Sequence, residues 1–451
     1  MSVSIASKRR DKFARGLVIG APRSGSGKTV FTLGLLRACR NAGLPVAGAK
    51  CGPDYIDPAF HAAGSGNPSY NLDSWAMSPA LLCALARSSA QSSDFVLCEG
   101  VMGLFDGVPA EPGRSGSTAD VAAALGWPVV LIADVSGQSQ TAAAIVKGCA
   151  SFDPRIAITG VVLNRLASAR HLRLVRGAIE AAGFPVLGAL PKYEKLQLPE
   201  RHLGLVQAAE TAGLDAVLDQ IAAFVAEHAD LAAILSCAQP LTPATIDERL
   251  NLPPPAQHIA IAKDEGFSFL YPHILAGWRK AGAEIAFFSP LANEPPPRHC
   301  GFCLLPGGYP ELHAERIAAA DHFLTGVRKF AETRPVHGEC GGYMVLGQSL
   351  TDQKGRAHRM AGLLDVSTSF AHPKLHLGYR RARLADAHPF GPRGALLRGH
   401  EFHYAAIDGS APRDKPFAFV RDVHTQEERP EGGRRGRVTG SFFHLIAAEM
   451  P

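Results

Sequence analysis

One stretch near the start of the chain, Leu17 to Thr32 (LVIGAPRSGSGKTVFT), restricts the fold more than any other. Leu17, Val18 and Ile19 read as a short buried strand that ends in a glycine, and Val30 to Cys39 carries apolar residues at helical spacing. Between them, Gly25-Ser26-Gly27-Lys28-Thr29 turns the chain sharply. A strand, a glycine-rich turn and a helix in that order form a phosphate cradle: backbone N–H groups point at the anion, and the helix N-terminus adds partial positive charge. Ser24, Gly25, Ser26 and Gly27 would line the turn, Lys28 would neutralise the β- and γ-phosphates, and the Thr29 hydroxyl would hold Mg²⁺. The strict pattern asks for glycine where this chain has Pro22, so the core and its context carry the reading.

At 451 residues the chain is too long for one ordinary core, and two domains are expected. Hydrophobic residues make up 46% and charged residues 19%, as in a globular protein with ample core. No apolar run approaches the ~20 residues of a membrane span, so no membrane partner is expected. Met1 to Arg15 is basic without an apolar segment and reads as a flexible leader, residues 1–16. The net charge of +5 is mild, and Arg434, Arg435 and Arg437 sit near Glu427, Glu428 and Glu431, as in a solvated loop rather than a nucleic-acid stripe. Nine cysteines with scattered spacing argue for a reducing cytoplasm rather than a disulfide framework. Cys300 and Cys303, the CxxC pair, read as core residues of a strand.

From residue 17 to 245, short apolar runs alternate with amphipathic stretches; candidate strands are Val46–Ala49, Phe95–Cys98, Val129–Ala133, Gly160–Leu163 and Val186–Ala189. That alternation predicts a doubly wound, mainly parallel α/β sheet whose ligands sit beyond the carboxyl ends of the strands. After the second strand come Lys50, Asp54, Tyr55 and Asp57, placed to meet phosphates, Mg²⁺ or a second substrate. After the third comes Glu99, a carboxylate opposite the phosphate loop and a second anchor for Mg²⁺, followed by Asp106 in a glycine-rich loop. Asn164 ends a later strand with an amide that suits either a base edge or a turn.

Residues 246–256 read as a linker, inside a loose stretch from about Pro240 to Gln257 with three consecutive prolines. A second αβ pattern, residues 257–451, opens with His258–Ala262, a helical stretch Tyr271–Ala281 and Glu284–Phe288. Cys340 in HGECGGYM lies where a strand enters a sharp turn and then a helix, which predicts an exposed thiol of lowered pKa. The N–H of Gly341, with one from Gly307–Gly308 and Gly308 foremost, would form an oxyanion hole. A nucleophilic thiol needs a base, and the candidates are His444, His400 and His403.

The segments GAPRSGSGKT, KCGPDYIDPAFH, EGVMGLFDG and LQLPERHLGLVQA together resemble the cobyrinic acid a,c-diamide synthases, including their hydrogenobyrinic acid-using branch. The resemblance implies a dethiobiotin synthetase-like domain in which Lys28, Thr29 and Glu99 serve phosphate and metal, and Asp54, Tyr55, Asp57 and Asp106 place substrate or metal. The second half resembles the class I glutamine amidotransferases, which selects His444 as base and leaves His400 and His403 structural or substrate-facing. Ordinary members carry a glutamate two residues after the histidine; this chain has Ile446 there, so the resemblance supplies no third triad member.

A carboxylate does not react with ammonia until its oxygen becomes a good leaving group, and phosphoryl transfer from ATP achieves that. The two halves therefore imply an ATP- and glutamine-dependent amidotransferase with Mg²⁺ as cofactor and a corrinoid acid, L-glutamine and ATP as small-molecule partners. Alternatives are a cobyric acid synthase-like or nickel-sirohydrochlorin amidotransferase or, from another class, a MinD-like nucleotide switch. A homodimer is compatible with the chain.

Overall fold

Leu17, Val18 and Ile19 are wholly buried, so strand β1 (Arg15–Gly20) runs through the middle of a sheet rather than along its edge. The computed structural model describes residues 15–91, 93–192, 200–201, 204–205, 207–241, 252–408 and 413–449. The chain divides into two compact units, Met1–Glu248 and Arg249–Pro451.

In the first unit β1 leads through the glycine turn into helix α1 (Lys28–Asn41). Then follow β2 (Val46–Cys51), α2 (Asp57–Ser65), β3 (Tyr70–Leu72), β4 (Phe95–Glu99), β5 (Val129–Asp134), β6 (Ile158–Leu166) and β7 (Val186–Pro191). These strands pair in parallel in the order β3-β2-β4-β1-β5-β6-β7. Register places Ile19 and Lys50 on either side of Glu99, and Asp134 beside Asn164. β1, which leads into the phosphate turn, thus has the ends of β4 and β2 on one side and those of β5 and β6 on the other. Each observed strand runs past its expected end, which brings Lys50 and Glu99 into the sheet itself.

Among the described residues the second unit holds a small four-stranded sheet (Ala357–Arg359, Ser349–Thr351, Ser367–Ser369 and Ala406–Ile407) and two larger ones. One runs Glu284–Phe288, His258–Ala262, Phe302–Leu305, Val336–Glu339 and Val438–Ser441 in parallel, with Gly433–Arg435 added antiparallel. The other is antiparallel: Glu428–Glu431, Ala418–Asp422, His376–Leu384, Leu396–His403 and Phe443–Ala448. The chain passes from the first sheet to the second through Phe442, so the strand carrying His444 continues from the one beside Val336–Glu339. Cys300 and Cys303 are both buried, Cys303 within its strand and Cys300 just before it.

Two expected boundaries move. Arg15 and Gly16 belong to β1 rather than to a leader, because Gly16 lies against the Trp127 ring and the Arg15 guanidinium donates to Ala238 O at 2.7 Å. Gln239 and Pro240 pair antiparallel with Gly16 and Arg15, and Leu252 is buried in the core of the second unit, so the loose stretch is shorter than its composition suggests. Residues 1–14 and 242–251 lie outside the described residues, as do Gln197, Pro199 and His202 of the LQLPERHLGLVQA segment.

Candidate functional site

The phosphate turn needs glycine for its backbone. Gly25 and Gly27 have φ of 72° and 95°, a left-handed conformation that residues with a β-carbon avoid. Ser26 Oγ donates to Arg23 O at 2.9 Å and braces the turn from inside. Asn164 contributes to the same bracing: its Nδ2 donates to Ser26 O at 2.8 Å and its Oδ1 accepts from Arg165 N. These two bonds use one donor and one acceptor position of the amide, which keeps a second N–H and a second lone pair.

Lys28 begins α1, is buried, and donates through Nζ to Met102 O at 2.5 Å. Burial, and then the charge of Lys50, lower its pKa to about 8. Next to it the Thr29 hydroxyl donates to Glu99 Oε1 at 2.6 Å. Glu99 has no solvent exposure, yet it is fully partnered: Lys50 Nζ lies 2.8 Å from Oε1 and His61 Nε2 lies 2.7 Å from Oε2. Burial alone would raise its carboxyl; Lys50 and His61 overcome that and hold it well below the usual range. Lys50 also meets Asp57 at 2.5 Å. Burial, with Asp54 next, pushes the Asp57 carboxyl up to about 7.

Lys28, Thr29, Lys50, Asp57 and Glu99 are therefore brought into one connected network. Lys50 and Asp57, expected to face a substrate, are buried: β2 runs two residues further than its apolar run and carries Lys50 into the sheet, where its Nζ meets both Glu99 and Asp57 at the start of α2. Asp54 turns inward as well: its Oδ1 accepts from Ile56 N and Asp57 N and caps the entry to α2. Tyr55 is half-buried in the same loop. Asp106 accepts from Gly103 N at 2.8 Å and is exposed beside the phosphate loop. His61 was not singled out from the sequence. Its spacing of four residues from Asp57 put both on one face of α2, and that was the available signal.

Among the described residues no three His, Cys, Asp or Glu side chains gather as a metal cage. The Thr29 hydroxyl and Glu99 carboxylate, two hard oxygen donors 2.6 Å apart, fit Mg²⁺ as a pair whose remaining positions belong to phosphate and water.

In the second unit, strand Val336–Glu339 ends at Cys340, whose backbone at φ 47° and ψ −103° bends the chain directly into helix Gly341–Leu346. A non-glycine residue in so sparse a region stores roughly 1–3 kcal/mol of strain. The thiol is 3% exposed, contrary to the expected open elbow, because strand Leu396–His403 crosses it and Phe402 O lies 3.8 Å from Sγ. Burial, and then the Glu311 carboxylate, push the thiol well above its usual pKa; the N–H of Gly341 works the other way.

Gly307 lies between nucleophile and base. A β-carbon there would stand 2.7 Å from His444 Cε1 and 3.4 Å from Cys340 Cβ, so only glycine lets the two side chains converge. Likewise a β-carbon on Gly341 would lie 3.3 Å from Gly308 N, which brings both expected oxyanion donors to one spot. His444 is wholly buried and stacks on its cross-strand neighbour His400, 4.9 Å between centroids and 14° between planes. Burial, then His400 and His403, push its pKa well below the ordinary value, so it is a neutral imidazole able to accept a proton. Ile446, where ordinary relatives carry an acid, gives its carbonyl to His273 Nε2 at 2.9 Å. His403 stacks on Phe442 and, with Tyr343, Glu401, Arg429 and Glu431, lines a cavity of about 720 Å³.

Comparison with known proteins bears on both units. Residues 17–206 match the family model of the CobQ/CobB/MinD/ParA nucleotide binding domain, and residues 258–451 that of the CobB/CobQ-like glutamine amidotransferase domain. The hydrogenobyrinate a,c-diamide synthase of Mesorhizobium japonicum is 56% identical over 434 residues, 96% of this chain and 99% of that protein. This chain belongs to the hydrogenobyrinate a,c-diamide synthase family. Family members from Rhodobacter capsulatus and Agrobacterium fabrum are 54% and 52% identical, each again over 96% of this chain and 99% of the relative. The α/β architecture of both units agrees with that membership, including the nucleotide-binding parallel sheet.

Proposed function

We infer that this chain is an ATP- and glutamine-dependent ligase that amidates the a and c acetate carboxylates of hydrogenobyrinic or cobyrinic acid in cobalamin biosynthesis. The observation that carries the reading is the meeting of Cys340 and His444 at Gly307, in a chain whose other unit holds a phosphate loop closed on Glu99. The first unit, from Arg15 through Pro240, would form the amide-forming domain, and the second, from Leu252 on, the glutaminase.

In the first domain Lys28 leaves Met102 O for the phosphates, and a substrate carboxylate takes the γ-phosphoryl group to give an acyl phosphate and ADP. The residues that would hold Mg²⁺ are Thr29 and Glu99; the ion would neutralise phosphate charge. Ser24 to Gly27 cradle the phosphates, and Asn164 keeps the turn in shape. Lys50, itself paired with Asp57, holds Glu99 in place, and the two loops that carry Asp54, Tyr55 and Asp106 would flank the reacting carboxylate.

In the second domain neutral His444 takes the Cys340 proton as sulfur attacks the glutamine carboxamide. The N–H groups of Gly308 and Gly341 receive the oxyanion, and His444 returns the proton to the leaving ammonia. Water then hydrolyses the thioester to glutamate, and ammonia displaces phosphate from the acyl phosphate. The nine cysteines are free thiols with no disulfide among them, the pattern of a reducing compartment, which supports the cytoplasm as location. The test is incubation with ATP, Mg²⁺, glutamine and either metal-free or cobalt-bearing acid, with the product read by mass spectrometry. A diamide is expected, and an unchanged acid in both incubations overturns the reading.

A further inference from the structure

Met102 follows β4 in the loop Gly100–Gly107 and has φ 47°. A left-handed backbone costs a residue with a β-carbon about 1–2 kcal/mol, and glycine adopts it without that cost. The loop is fixed to the phosphate turn. Lys28 Nζ donates to Met102 O, Leu104 N donates to Ala21 O at 2.8 Å, and a β-carbon on Gly103 would lie 2.8 Å from Pro22 O. These contacts explain why the Met102 carbonyl faces inward. They do not explain the side chain, which is 56% exposed and adds nothing to the core. If the backbone shape were the only requirement, glycine would serve better. A long apolar side chain exposed at the lip of a phosphate site, on a backbone tied to the phosphate turn, points to an apolar ligand there.

We propose that Met102 is the contact surface for the ring of the tetrapyrrole acid, which rests on the amidation reading above. The carboxylate to be activated must reach the phosphate beside Lys28, so the ring that bears it must lie against the loop that holds Lys28. A macrocycle is apolar on its faces and acidic at its rim, and it must turn to present two acetates in succession. An unbranched, polarizable thioether repacks against both poses, where a rigid or branched side chain would favour one.

The experiment measures steady-state diamide formation from hydrogenobyrinic acid, ATP and ammonium chloride in Met102→Ala, Met102→Gly and Met102→Leu. Ammonium bypasses the glutaminase. In the alanine and glycine variants KM for the acid should rise about tenfold, equivalent to about 1.4 kcal/mol. KM for ATP and the rate of glutamine hydrolysis should stay near wild type, and leucine should restore most of the affinity. Glycine relieves the positive φ and should keep or raise Tm, so its loss of affinity is not a loss of fold. An unchanged KM for the acid in both truncated variants overturns the proposal, as does a parallel rise in KM for ATP. A wild type that makes no diamide from this acid or from its cobalt-bearing counterpart would sink the amidation reading and the proposal with it; an active wild type with indifferent variants sinks the proposal alone.

Discussion

Lys50 and Glu99 face each other across β2 and β4, 2.8 Å apart and almost entirely shut off from solvent. A buried ion pair contributes little net stability by itself, but removing one partner leaves the other charge uncompensated. Here the pair sits one hydrogen bond from Thr29, so its geometry also sets where the first helix meets a bound phosphate.

Glu99→Gln should therefore affect both stability and reaction. Lys50 keeps Asp57, so the loss of stability should fall in the lower part of the ~3–5 kcal/mol typical of a broken buried pair. Amidation should fall more than about 100-fold with either nitrogen donor. Glutamine hydrolysis should persist. Differential scanning fluorimetry and product analysis check both effects, and retained amidation would remove Glu99 from the proposed Mg²⁺ site.

Lys28→Ala should abolish amidation with glutamine and with ammonia while the fold persists. Its burial lowers its pKa to about 8, so removal deletes a charge that folding already pays to hold. Tm should stay the same or rise slightly, in contrast to Glu99→Gln.

Cys340→Ala and Cys340→Gly should both lose glutamine-dependent amidation and keep the ammonia-dependent reaction. They should differ in stability. Glycine tolerates φ 47°, so the glycine variant should exceed the alanine variant by roughly 1 kcal/mol or more. Equal Tm values would mean that the elbow is not strained. Loss of the ammonia reaction in both would contradict independent half-sites.

Glu339, next to the nucleophile, is pushed by burial up to about 8 and accepts a long contact from Leu445 N at 3.5 Å. The folded chain keeps this proton where the unfolded chain has lost it. Its contribution to stability is full below pH ~4.5 and is lost as pH rises toward about 8. Glu339→Gln mimics the protonated acid, so Tm of the variant minus that of wild type should grow between pH 5 and 8 and then level off. A pH-independent difference would show that the carboxyl is ionised in the folded chain.

Much of the architecture was legible because the informative residues are contiguous. The strand, glycine turn and helix around Lys28, the strands after it and the elbow at Cys340 all follow from local pattern. The antiparallel sheet from His376 onward was not foreseen, since its half-exposed strands lack continuous apolar runs. His61 and Asp57 share a helix face, yet nothing in the chain says that this face meets Glu99.

What the sequence determined by itself is local conformation and composition: where phosphate can be cradled, where a thiol can sit on a turn, and that the chain has two cores. Tertiary structure alone decided that Lys50 turns inward, that Asn164 braces Ser26, and that Cys340 is covered by strand Leu396–His403. Those outcomes depend on burial and on contacts between residues far apart in the chain. Desolvation and cross-strand register, which fix charge and proton position, exist only once distant strands have paired.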